Sequence, residues 1–131
     1  MRRRLATSAV LVAALLAGSA AAAAERKKGG GESFIALPSL NASILRSSGR
    51  HGVLSVEAGL DIPDAALRTR AEKSLPRLRD AYARFLMVYA AAIPPGGAPD
   101  PQVVGDKLQV ATDQVLGRPG ARVLLGTLLV N

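Results

Sequence analysis

The chain has 131 residues, no cysteine and one histidine, which leaves room for one domain with a modest core and excludes disulfides, thiolate metal sites, cysteine nucleophiles and histidine-built zinc centres. Its formal charge is +7, but Arg2, Arg3 and Arg4 fall in a leader, and residues 25–131 carry 14 basic against 10 acidic side chains, a mild +4. Neither that balance nor four aromatics (Phe34, Tyr82, Phe85, Tyr89) argues for nucleic acid.

The leader comes first. Met1-Arg2-Arg3-Arg4 is a charged start, and residues 5–24 contain no charge. Ala22-Ala23-Ala24 fits a small-x-small cleavage site, so a signal peptide over residues 1–24 is expected to be cut between Ala24 and Glu25. Twenty uncharged residues can also span a bilayer, which makes an uncleaved anchor the alternative. Ten of the twenty are alanine and only six are Leu or Val, so the span is weak. Arg2, Arg3, Arg4 and Leu5 form a possible twin-arginine export motif. Arg26-Lys27-Lys28 after the cut oppose general secretion, and the choice between the two routes stays open. The expected location is the periplasm, or the inner membrane with the domain facing the periplasm if the leader is retained; only then is membrane contact expected.

Residues 25–32 (ERKKGGGE) form a flexible basic, glycine-rich linker. Residues 33–62 predict two strands. Leu54, Val56, Ala58, Leu60 and Ile62 alternate with Ser55, Glu57, Gly59 and Asp61, giving one buried and one wet face. Leu40, Ala42 and Ile44 alternate likewise, and Pro38 marks an edge or a bulge. Gly49 and Gly52 are expected to supply the positive φ of a hairpin turn. Residues 63–93 predict a helix with Leu75, Leu78, Tyr82, Phe85 and Tyr89 on one stripe. Pro76 predicts a kink, or a restart with Ser74 as N-cap. Asp80 and Arg84 are spaced to pair, and Pro94-Pro95-Gly96-Gly97 ends the helix.

Asp100-Pro101 starts a second helix, with Val104, Leu108, Ala111 and Val115 as its stripe and Gly117 as its terminator. Residues 121–130 form a last strand. Val123, Leu125 and Leu129 fall on one face, with Leu124, Leu128 and Val130 on the other, which predicts a central strand covered on both sides. The order is β-β-α-α-β: an α+β fold, with a β-hairpin, two helices and a C-terminal strand making a small sheet with helices packed on it.

Catalytic chemistry finds little to build on. His51 sits in the hairpin turn with no acid near it in sequence to orient it. Glu57 and Asp61 share a strand face but lie about 13 Å apart, too far for a carboxyl pair. Asp64 is a first-turn acid favoured by the helix dipole. Gly29-Gly30-Gly31 lack the strand–loop–helix setting of a phosphate loop. Tyr82, Phe85 and Tyr89 are core, or the lining of a small-ligand or lipid groove. The expectation is no enzyme, no cofactor and no metal.

The hairpin segments FIALPSLN (34–41) and VLSVEAGL (53–60), joined through Gly49-Arg50, resemble the start of the periplasmic domain of FliL, the flagellar basal-body-associated protein. Leu75-Pro76-Arg77-Leu78-Arg79-Asp80-Ala81 is similar to the opening of that family's helix, residues 104–116 to its amphipathic helix, and residues 123–131 to its apolar terminal strand. The resemblance covers residues 34–131, so residues 33–131 are taken as a FliL-like domain. It implies a stomatin-type (SPFH-like) fold and a non-catalytic accessory or scaffold protein that self-associates and contacts flagellar-motor or other envelope proteins. The alternative function is a periplasmic small-ligand or lipid-binding module.

Overall fold

The computed structural model describes residues 31–131. The leader, with Arg2, Arg3, Arg4, Leu5, Ala24 and Glu25, lies outside them, as does most of the linker. The elements are β1 (Phe34–Ala36), β2 (Leu40–Leu45), β3 (His51–Asp61), α1 (Ala65–Lys73), α2 (Leu75–Ala92), α3 (Pro101–Leu116) and β4 (Arg122–Val130). They form a four-stranded antiparallel sheet with helices on one face, an α+β layer as expected.

β3 is the spine. Its even residues bond to β1 and β2, its odd residues to β4. Thus Leu37 N–H donates to Ala58 O (3.2 Å) on one edge, while Val53 and Asn131 exchange two bonds (3.0 Å each) on the other. β1 and β2 are one strand broken at Pro38: partner numbers sum to 95 along β1 and 96 along β2. The irregularity expected at Pro38 is there, and it adds a strand to the count.

The side chains of Leu54, Val56, Leu60 and Ile62 are buried under α2 and α3, together with Leu40, Ala42 and Ile44 of β2. α2 contributes Leu78, Tyr82, Leu86 and Ala90; α3 contributes Val104, Leu108, Thr112 and Leu116. The helix expected over residues 63–93 is two helices that meet at Ser74. Ser74 occupies the N-cap position of α2, but its side chain makes no capping bond. α3 begins and ends as the sequence dictates: the Asp100 carboxylate accepts from Gln102 N–H, and Gly117 closes the helix at φ +81°.

Asp64 is corrected from first-turn acid to N-cap. α1 starts at Ala65, and the Asp64 carboxylate accepts from Leu67 N–H (2.8 Å) and from Arg118 (2.7 Å). The Leu67 bond first, then Arg118, hold its carboxyl below the ordinary 3.8. A lowered folded value means the stabilisation is complete above the usual carboxylate range and fades as pH falls through the folded value. Asp64→Ala should therefore lower the thermal midpoint at neutral pH, and its gap to the parent should close in acid melts. A gap independent of pH would remove the charge from this account.

The two turn glycines separate. Gly49 has φ +80° and open space around it. Gly52 has no positive φ: it pairs with Ile44 inside the sheet, where a Cβ would lie 2.3 Å from Asn131 O. Space, not turn geometry, requires that glycine.

Candidate functional site

β4 is the largest correction to the sequence expectation. It pairs with β3 alone, so it is an edge strand, and none of its residues is buried. The cause is a bulge. Leu128 faces Val56 and Leu125 faces Ala58, so Gly126 and Thr127 together oppose Glu57. The extra residue switches the alternation. Val123, Leu125, Leu128 and Val130 share the helix-covered face, while Arg122, Leu124 and Leu129 share the open one. Period-two counting through the bulge puts Leu129, Leu128 and Val130 on the wrong faces.

The outer edge of β4 is open over most of its length. The ladder parity set by the Val53–Asn131 pair turns the main-chain groups of Leu125, Leu128 and Val130 away from β3. Only the start of the edge is sealed by hydrogen bonds, though α3 flanks it as far as Leu125 and the 96–99 loop adjoins Val130. The Gln109 side-chain amide of α3 donates to Ala121 O (2.7 Å) and accepts from Val123 N–H (2.9 Å), standing in for a neighbouring strand. Gln109→Ala should cost about 1–3 kcal/mol in denaturant melts, because two main-chain groups lose their partner. A loss under about 0.5 kcal/mol would mean water serves them equally well.

Open side chains flank the open edge. Leu129 is 49% exposed and Leu124 38%, with Val53 of β3 beside them at 45%. Residues 123–131 carry no charged side chain and no proline, two of the devices that protect an edge strand from further pairing; Arg122 and the bulge at Gly126–Thr127 are the guards that β4 does carry. On the same outer face the Phe34 ring lies over Gly59, where a Cβ would meet it at 2.3 Å. Phe34, Glu57, Gly59 and Leu124 surround a shallow hollow of about 410 Å³. This face and the adjoining edge make up the candidate site, which suits main-chain pairing with another strand.

The other expected positions are dispersed. His51 is the exposed first residue of β3 rather than a turn residue, and its Nδ1 lies 3.1 Å from Ser43 Oγ. Glu57 is exposed at the bulge, and Asp61 accepts from Ser33 Oγ (2.6 Å). Asp80 pairs with Arg84 on the surface, as their spacing requires. Tyr82 is fully buried core and bonds to Thr112. Phe85 and Tyr89 stack on each other at 5.5 Å, and the Tyr89 hydroxyl accepts from Asp100 N–H at the start of α3 (2.8 Å). Among the described residues no cluster of three His, Asp or Glu side chains could hold a metal, and no helix is long and apolar enough to cross a membrane.

No family model, curated protein or solved structure matches this chain. The apolar run of β4 does not reveal its open edge; the isolated Gly126 inside a strand pattern is the sequence signal for the bulge.

Proposed function

We propose that this chain is a non-catalytic, exported accessory or scaffold protein of the FliL-like kind, working in the periplasm by protein–protein contact. The observation that carries the reading is the open β4 edge, with main-chain groups at Leu125, Leu128 and Val130 turned away from β3 beside the exposed Leu124 and Leu129. A strand edge of this kind is completed by another strand. On this proposal the helix-on-sheet layer is a stomatin-type (SPFH-like) domain. Its partners are envelope proteins, those of the flagellar motor among them, and further copies of the chain.

A photo-crosslinking residue at position 129 of the full chain, made in bacterial cells, tests this directly. The expected result is a discrete adduct, either at twice the chain's own mass or with an envelope protein, and none from the same probe at Lys73. Equal labelling from both positions, or none from either, would sink the proposal. Intact mass of the fractionated product tests the location. A periplasmic chain beginning at Glu25 is expected, and a full-length chain in the membrane fraction would replace the free form with an anchored one.

A further inference from the structure

The sheet has a second open edge, and it is walled by a helix. Even residues of β2 bond to β3, so the main-chain groups of Asn41 and Ser43 point away from the sheet, while Leu45 O is taken by Gly96 N–H (3.1 Å). Beyond this edge runs α2, whose Met87 (58% exposed) and Ala91 face it across a hollow of about 410 Å³. Ser43, Ile44, Leu45 and His51 form the opposite wall. The hollow therefore combines unpaired strand groups along one wall with small and apolar side chains along the other. An added β-strand needs both: main-chain partners, and room for alternate side chains.

Charge restricts the occupant further. β2 itself carries none. The charged residues of α2 and of the turn ending β2 are Arg46, Arg50, Arg77, Arg79, Asp80 and Arg84. Five of the six are cationic, and the one acid, Asp80, is paired with Arg84. The lining of the hollow holds no Arg, Lys, Asp or Glu, and Arg84 and Asp80 neutralise each other, so the cationic charge stands at the ends of the walling elements: Arg77 and Arg79 in the first turns of α2, Arg46 and Arg50 in the turn after β2. Charge selection therefore acts on the flanks of an occupant, favouring acidic groups there. An anionic membrane would also welcome that charge and the exposed Met87. Lipid tails, however, leave the Asn41 and Ser43 peptide groups unpaired, a costly outcome in an apolar medium.

We propose that the β2–α2 groove binds an extended segment of another protein as an added strand, apolar at alternate positions and acidic at its flanks. This surface lies on the opposite edge of the sheet from β4, so either proposal can fail without the other.

The probe is a capped, fluorescent peptide of alternating valine and threonine with aspartates at both ends, titrated into the full chain. Saturable binding is expected, with amide resonances of Asn41 and Ser43 shifting most. Lysine in place of the aspartates should weaken binding about tenfold, and so should Met87→Asp at a position too exposed to threaten the fold. A peptide N-methylated along the pairing edge should not bind. Equal affinity for the lysine-ended or N-methylated peptide would overturn the proposal, as would failure to saturate. The same two amides shifting on simple concentration would make a second copy the occupant and overturn it. So would displacement of the peptide by phosphatidylglycerol vesicles that shift those amides.

Discussion

Replacing Tyr82 by alanine is expected to remove about 3–5 kcal/mol of folding stability, the range for emptying a buried aromatic site. In a domain of this size the thermal midpoint should fall by at least about 12 °C. Tyr82 lies under the sheet at the meeting of α2 and α3, with no exposed surface, so neither water nor a neighbouring side chain can readily fill the void. Smaller substitutions separate its packing from its hydroxyl. Thr112 Oγ1 donates its single proton to Leu108 O (2.7 Å), which leaves it to accept from the Tyr82 phenol. Tyr82→Phe therefore removes a donor and leaves Thr112 satisfied, a loss of about 0.5–1.5 kcal/mol. Thr112→Val leaves a buried phenol without an acceptor and should cost more, about 1–3 kcal/mol. Adding Tyr82→Phe to Thr112→Val should then return stability rather than remove more, a reversal that chemical denaturation of the four variants would show. Burial, above all, pushes the phenol above its ordinary 10.0. Its contribution is thus whole below that pH and is lost as pH rises toward the folded value. The parent should lose its advantage over Tyr82→Phe only in strong alkali.

The layer architecture was legible wherever one face of an element is buried and the other wet. β3 is the plainest case: Leu54, Val56 and Leu60 against Ser55, Glu57 and Asp61 give a single phase, and the sheet keeps it. The ends of α3 were legible because Asp100, Pro101 and Gly117 act locally. Thr112 is harder to read, since a hydroxyl interrupts an apolar stripe; its place four residues after Leu108 is the available signal. β4 failed for a different reason. An apolar run with both faces hydrophobic fits a central strand and an open edge equally well, and only the partner on the far side decides. The β2–α2 groove lay beyond any local pattern. Met87 and Ala91 are separated from Ser43 by more than forty positions, and α2's packing on β2 brings them together.

The open β4 edge yields the second large effect. Leu124→Lys with Leu129→Lys is expected to leave the fold intact and to raise the self-association constant Kd on the order of a hundredfold. Both side chains stand on the open face, so the unfolding midpoint should move little. Association is another matter. Two copies joining β4 to β4 about a two-fold axis would each present the same edge to the other, antiparallel and self-complementary. The two added lysines of one copy would then stand near those of its partner across the joint, where like charges oppose pairing. Sedimentation velocity over a range of concentrations reads the association, and a thermal melt of the same samples reads the fold. An associating parent beside a monomeric, equally stable variant would assign the contact to β4. Association unchanged by the lysines would move the contact off this strand. A parent monomeric at every concentration would remove the second copy as a partner and leave the edge to a strand from a different protein.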